Sequence, residues 1–317
     1  MAAQAQRVII DTDPGIDDAA AIFMALGSPE LQVEALTTVF GNTPVAGCTR
    51  NALRILEAAR RTNIPVYEGV AKPYNGMAPV FAAHVHGNDG LGDVDLPPPT
   101  TAPQPRNAVL ELIDRILASP GAITVVALGR LTNLALALSV EPRVASAVQR
   151  IIVMGGAVTV PGNASSVASA NLWGDAEAAD IVYRSGAKIV QIGLDVCNQV
   201  EFSLAQQRHV WEAQSAATQL LEAATAYLKQ NYRQRGLLQQ PDGVRYNDVP
   251  AMAYAIDASL FTCRDLYVRI EAQGQLTRGQ TIADLHEQAG EPPNVAVALQ
   301  MDAPRLTQLW VDRVRGI

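Results

Sequence analysis

Apolar residues recur along this chain in two rhythms. Six short runs, VIID (8–11), VEALTTV (33–39), IPVYEGV (64–70), AITVVALG (122–129), RIIVMGG (150–156) and KIVQIGLDV (188–196), are rich in β-branched residues and apolar at neighbouring positions. That is the pattern of strands covered on both faces. Between them lie stretches with helical spacing at 17–27, 45–62, 106–118, 132–140 and 175–185. The alternation predicts an α/β fold, an open, mostly parallel, Rossmann-like sheet with right-handed crossovers and flanking helices. After residue 200 the rhythm changes: a helical region from about 203 to 235, then YNDVPAMAYAIDASLF, then strand-like DLYVRIEA and NVAVALQM, then a last helix. This predicts a helical and short antiparallel C-terminal addition. The chain has no Gly/Ser linker and no internal repeat, and PPPTTAPQP at 97–105 reads as a surface loop, so residues 1–317 are expected to form a single domain.

Composition narrows the choice of partner. The 317 residues are 49% hydrophobic and 17% charged, enough apolar material for one large core or two smaller ones. A formal net charge of −7 without any Lys/Arg block argues against nucleic acid or an anionic membrane and for a small molecule. Cys48, Cys197 and Cys263 lie far apart with no CxxC, and no apolar h-region precedes the first strand, which predicts a reduced, cytoplasmic protein. The apolar runs break well before the roughly 18 residues that a membrane span requires.

The chemistry concentrates at RVIIDTDPGIDD (7–18), where Asp11, Asp13, Asp17 and Asp18 fall within eight residues at a strand end. Like charges so placed raise one another's pKa and cost stability. A helix N-cap accounts for one or two of them, not four; a bound cation accounts for the set. In open parallel sheets ligands bind beyond the carboxyl ends of the strands. FGN (40–42), ALGRLTN (127–133) and MGG (154–156) follow strands in the same way and converge on that rim. Oxygen-rich ligands without thiolates or paired histidines suit a hard cation such as Ca²⁺ or Mg²⁺. Taken singly, Asn42 reads equally as a turn residue, MGG as a tight turn, and His84 and His86 as solvated residues of the loop HVHGNDGLG. Tyr227, Tyr232 and Tyr246 read as packing or as recognition.

DTDPGIDDAAAI, FGN, HGNDGLG (86–92), ALGRLTNLA (127–135), IIVMGGAV (151–158), PGNASSVASANLWGDAEAA (161–179) and YNDVPA (246–251) resemble, in order, the blocks of the inosine-uridine-preferring nucleoside hydrolases over nearly the whole chain. The resemblance implies hydrolysis of the N-glycosidic bond of a ribonucleoside to ribose and free base. It also implies a Ca²⁺ cofactor held by Asp13, Asp18, Asp248 and the Leu128 carbonyl, with Asp13 as general base on the attacking water. Asp17, Asn42 and Asn171 would grip the ribose 2′- and 3′-hydroxyls, Met154 and Asn163 would contact the sugar, and Asp11 would give nearby support. His86 and His84 in the glycine-rich loop and Tyr227 and Tyr232 in the long helical region are expected to border the base pocket and are the candidates for an acid there, and a homodimer or homotetramer is implied.

Two departures matter. Where the family has His-Asp before its C-terminal helix, this chain has Asn247-Asp248, and an amide at the position of the leaving-group acid cannot protonate a departing base. Where the family has a Glu-aromatic pair that holds the ribose 5′-hydroxyl, this chain has Ser169-Ala170, with Arg130 expected close by; that opens the reading of a 5′-substituted or 5′-phosphorylated substrate. A nucleoside-binding, catalytically impaired relative is a second alternative. A third is an aspartate-nucleophile phosphatase, for which Gly15 is the wrong residue and the Asp17-Asp18 pair has no purpose.

Overall fold

The computed structural model describes residues 5–240 and 242–317. Eight strands form one sheet: β1 (Gln6–Thr12), β2 (Leu31–Thr38), β3 (Val66–Glu68), β4 (Ile123–Ala127), β5 (Arg150–Met154), β6 (Ile189–Ile192), β7 (Phe261–Leu266) and β10 (Val295–Met301). Their order is β3-β2-β1-β4-β5-β6-β10-β7, parallel throughout except for β7, which pairs antiparallel with β10 at the edge. A separate two-stranded antiparallel sheet joins β8 (Val268–Ile270) to β9 (Thr281–Ala283).

The strands are apolar at successive positions because both faces are covered. Val8, Ile10, Val126 and Ile152 pack into one core while Ile9, Val125, Ile151 and Val153 pack into the other, the two-residue alternation of a sheet sandwiched between helices. The first core holds the helix Ile16–Leu26, apolar on all sides and buried at all eleven positions. Against it lies the C-terminal helix Ala303–Arg315, whose Trp310 is fully buried and donates its indole N–H to the Ala20 carbonyl at 3.3 Å. Trp310 also packs on Phe202 and Tyr246, with ring centroids 4.6 and 5.4 Å away. This packing fixes the helix that carries Asp17 and Asp18.

The C-terminal elements differ from the expected boundaries. The helical region 203–235 is two helices, Leu204–Trp211 and Ala216–Gln234, because Gln214 turns through a left-handed backbone (φ 50°) and the Ser215 hydroxyl caps the second. DLYVRIEA is not one strand: it breaks at Tyr267 and contributes to both sheets. β10 belongs to the C-terminal addition yet enters the main sheet parallel to β6. Among the described residues, no helix is long and apolar enough to cross a membrane.

Candidate active site

The strand order reverses between β2-β1 and β4, so the ends of these strands bound a crevice. Asp11, near the end of β1, is in register with Thr37 on one side and Ala127 on the other. Beyond it the chain turns through Asp13-Pro14-Gly15 into the helix Ile16–Leu26. Position 15 requires glycine: a Cβ there would sit 2.6 Å from Asn42 Nδ2 and 2.7 Å from His86 Nδ1. Asp18 in the first helical turn reaches back, accepting the Gly15 N–H at 2.8 Å, the Thr12 hydroxyl and the Asn42 side-chain amide at 3.1 Å.

Asp13 is clasped between two glycines. A Cβ at Gly41 would fall 1.8 Å from its Oδ2, and one at Gly129 would fall 2.7 Å from its Oδ1. The Asn42 backbone N–H donates to Asp13 Oδ2 at 2.8 Å, and its side-chain amide donates to the Asp13 carbonyl at 3.0 Å. Asp248 stands at the start of the helix Val249–Ile256, and the preceding backbone N–H, that of Asn247, donates to Asp17. Carboxylate oxygens of Asp17, Asp18 and Asp248 come within 4.8 Å of one another. Asp13 stands outside this triad, on the same cavity wall.

The cavity measures about 390 Å³. Of the residues singled out in the sequence, Asp13, Asp17, Asp18, Asn42, His86, Leu128, Met154, Asn163, Ser169, Asn171, Asn247 and Asp248 line it. Asn171 donates its amide to the carbonyls of Leu128 and Met154, the second at 3.0 Å, which leaves its Oδ1 to accept. The Ser169 hydroxyl accepts the Gly156 N–H at 2.7 Å, and Asn163 Oδ1 accepts the Ala170 N–H at 2.9 Å, so both hold the loop after β5. Asp11, Arg130, Tyr227 and Tyr246 sit elsewhere. Tyr227 is not in the cavity wall; its hydroxyl donates to the Ala83 carbonyl at 3.2 Å and so braces the short helix Ala83–His86. Arg130 is also outside the wall, its guanidinium over the Phe40 ring at 4.6 Å and donating from Nη2 to the Val80 carbonyl, while its buried Nη1 has no hydrogen bond. Of the two tyrosines, Tyr232 is the one at the cavity: it is buried, lines the wall, and accepts the Asn247 side-chain amide at 3.3 Å. Asn198, Arg235 and Arg245 line the cavity too; none of them stands in a motif, and only the fold brings them together there.

Electrostatically the site is overloaded with negative charge. Burial first, then Asp18, holds Asp13 well above the usual carboxylate range, and Arg130 offsets part of the effect. Asp248 is also held well above that range, by burial and then by Asp17, Asp18 and Asp13. Burial pushes Asp17 up to about 6 against the pull of three backbone N–H groups. His86 is pushed down to about 4 by burial; its Nδ1 accepts the Ile16 N–H at 3.2 Å, so the ring is neutral with the proton on Nε2. Among the described residues, no lysine or arginine is ion-paired with Asp13, Asp17, Asp18 or Asp248. The buried Asp11 Oδ2 has no hydrogen-bond partner, while its Oδ1 accepts from Thr37 and Asn133 at 2.6 and 2.8 Å. Buried, unpaired, all-oxygen donors fit a hard divalent cation and nothing softer.

Comparison with known proteins agrees with this chemistry. Residues 8–308 match the family model for inosine-uridine preferring nucleoside hydrolases. The chain is 41% identical over 317 residues to a probable uridine nucleosidase 2 of Arabidopsis thaliana, covering 98% of this chain and 97% of that one. It is 37% identical to the non-specific ribonucleoside hydrolase RihC of Escherichia coli, covering 98% of each. The solved structure of a plant nucleoside hydrolase, PpNRh1, superposes with a TM-score of 0.93 at 38% identity, covering 98% of this chain and 99% of that one. A purine-preferring ribonucleoside hydrolase of Gardnerella vaginalis does so with a TM-score of 0.92 at 30% identity, covering 98% of each.

Proposed function

The chain belongs to the family of inosine-uridine preferring nucleoside hydrolases, enzymes that cleave the N-glycosidic bond of ribonucleosides, and we propose that it does so with Ca²⁺ as cofactor and Asp13 as general base. The observation that carries this reading is the group of four buried carboxylates, Asp13, Asp17, Asp18 and Asp248, on one cavity without a protein cation paired to them. Asp13, Asp18, Asp248 and the Leu128 carbonyl would hold the ion, with Asp17 close enough to join them. Bound there, Ca²⁺ would supply positive charge that lowers the pKa of a nearby water.

Cleaving C1′–N passes through an oxocarbenium-like transition state, with positive charge growing on the sugar. Asp13, fixed between Gly41 and Gly129 and by the Asn42 N–H, takes the proton of the attacking water. Asp17, Asn42 and the free Oδ1 of Asn171 take the 2′- and 3′-hydroxyls, and Met154 and Asn163 border the ring. The fixed carboxylates favour the developing cation. His86, neutral and buried, offers its Nε2–H to substrate as a hydrogen-bond donor. At the position of the family's leaving-group acid the chain has Asn247, an amide tied to the Tyr232 hydroxyl, which donates no proton as an acid. Substrates whose base departs with little protonation are therefore favoured. The name of the Arabidopsis thaliana relative, probable uridine nucleosidase 2, speaks of uridine, and a pyrimidine riboside is the natural substrate proposed for this chain.

The three free cysteines fit a reducing compartment, and the proposal places the enzyme in the cytoplasm as a homodimer or homotetramer. Steady-state assay with a panel of ribosides tests the reading. Uridine and p-nitrophenyl riboside should yield ribose and free base, with inosine far slower and 5′-monophosphates unreactive. Binding of all four without release of ribose would overturn it in favour of a nucleoside-binding protein.

A further inference from the structure

The ribose itself divides the cavity. Its 2′- and 3′-hydroxyls go to the carboxylates, while the base projects from C1′, beside C2′, and C5′ projects from C4′, beside C3′. The carboxylate group has a neighbour on either side. Asn247, with Tyr232 behind it, adjoins Asp17 through its backbone N–H and takes the base. Asn171 adjoins Leu128 and Met154, whose carbonyls accept its amide, and the chain before it is Ala170, Ser169 and the loop 161–168. That second wall, formed at the cavity by Pro161, Gly162, Asn163, Ala164, Ser169 and Ala170, is therefore the one that C5′ faces.

This wall is rigid, uncharged and open. The loop closes on itself: the backbone N–H groups of Asn163 and Ala164 donate to the Ala168 carbonyl at 3.2 and 3.1 Å, and a Cβ at Gly162 would lie 2.3 Å from the Ala168 nitrogen. Residues 161–170, PGNASSVASA, carry no charge. The two polar side chains at the cavity already serve the loop, since Ser169 accepts the Gly156 N–H at 2.7 Å and Asn163 Oδ1 accepts the Ala170 N–H at 2.9 Å. A site strongly rejects an analogue that lacks a hydroxyl only when the loss leaves its own buried polar groups unpaired. Ser169 and Asn163 keep these partners with or without a 5′-hydroxyl. Pro161, Asn163, Ala164 and Ala170 are exposed, so a group larger than hydroxyl passes between them to solvent.

We infer that this wall is an open, uncharged subsite for C5′, and that the substrates include ribosides whose 5′-hydroxyl is replaced by hydrogen or by a neutral apolar group, such as a 5′-deoxy-5′-alkylthio riboside. The inference rests on the hydrolase reading above. The bond broken is still C1′–N, and the 5′ group stays on the released sugar. A 5′-phosphate is the opposite case: four buried carboxylates stand at the neighbouring diol, Arg130 lies outside the cavity wall, and no cation in residues 161–170 receives the dianion.

The test uses p-nitrophenyl riboside beside its 5-deoxy, 5-deoxy-5-methylthio and 5-phosphate analogues, so that base preference does not enter. The wild type should hydrolyse the 5-deoxy and methylthio analogues within about tenfold of the parent in kcat/KM, the range of one neutral hydrogen bond, and the phosphate about a hundredfold or more below it. Ala164→Trp narrows the exposed part of the wall and should lower kcat/KM for the methylthio relative to the 5-deoxy analogue by about tenfold, chiefly through KM. Ala164→Leu repeats the comparison with a smaller side chain, and circular dichroism of both variants separates a blocked subsite from a lost fold. A 5-deoxy analogue more than about tenfold slower than the parent, a phosphate hydrolysed as fast as the parent, or folded Ala164 variants that keep the wild-type ratio of methylthio to 5-deoxy would overturn the inference while leaving the hydrolase reading intact. Failure to release p-nitrophenolate from the parent would overturn both.

Discussion

Gly41→Ala should disable the enzyme without touching any group that carries chemistry. The new Cβ would lie 1.8 Å from Asp13 Oδ2 and 2.6 Å from its Cγ, whereas ordinary contact begins at 3.4 Å, so carboxylate or backbone must move by about 1.6 Å. No flexible side-chain end can absorb this, because the Gly129 backbone closes the other side of the same carboxylate. The displacement breaks the bond from the Asn42 N–H to Asp13, worth about 1.5–3 kcal/mol for a charged acceptor. Misplacing a reacting group by about 1 Å costs on the order of a hundredfold in rate, or roughly 2.7 kcal/mol of barrier. The assay is release of p-nitrophenolate from p-nitrophenyl riboside, with a thermal melt alongside. Gly316→Ala is the control, since a Cβ there meets nothing nearer than 3.5 Å. We expect kcat to fall by about a hundredfold or more in Gly41→Ala and to hold in Gly316→Ala. A Gly41→Ala enzyme within threefold of wild type would show that the position of Asp13 does not govern the reaction.

Asp13→Asn keeps shape and removes the proton acceptor, so turnover should fall by several orders of magnitude; a loss below about tenfold, roughly 1.4 kcal/mol, would move the base elsewhere. Asn247→His should raise inosine turnover relative to p-nitrophenyl riboside, and equal, high turnover of both by the wild type would mean that an acid is already present. Trp310→Ala should cost about 3–5 kcal/mol by opening the aromatic core behind the helix Ile16–Leu26, read as a shifted denaturant midpoint; a change under about 1 kcal/mol would contradict that role. Asp13 and Asp248 are held well above the carboxylate range and Asp11 is pushed up to about 6, so without metal the folded state binds protons more tightly than the unfolded. The stability they lend is present below their ordinary pKa of 3.8 and is lost as pH rises through about 6, with His86, pushed down to about 4, opposing as one group against several. Melting of the metal-free protein should therefore fall between about pH 5 and pH 7.5, and Ca²⁺ should restore it; a flat profile would refute this.

Strand periodicity and the carboxylate run made the front of the sheet readable in advance, because a parallel sheet buried on both faces leaves an unbroken apolar signature and its ligands follow the strand ends. The C-terminal third was harder. Gln214 has no residue-type signal for a left-handed turn, so two helices read as one. DLYVRIEA carries strand propensity throughout, but only tertiary pairing decides that its halves join different sheets. Tyr227 and Tyr232 differ by five residues on one helix, about 140° around its axis, so they cannot share a face; sequence alone did not say which faces the cavity. Sequence neighbours place Arg130 near Ser169-Ala170, whereas in the fold Phe40 and the Val80 carbonyl hold its guanidinium. Arg235 and Arg245 stand in no motif and reach the cavity only through folding.

The most direct test of the account is to strip the protein of metal with a chelator, titrate Ca²⁺ back by calorimetry, and follow p-nitrophenyl riboside hydrolysis in parallel. The account predicts no turnover by the stripped protein, one Ca²⁺ bound per chain, activity regained in step with that binding, and weakened binding in Asp18→Ala. Full turnover by metal-free protein, or unaltered Ca²⁺ binding in Asp18→Ala, would contradict it.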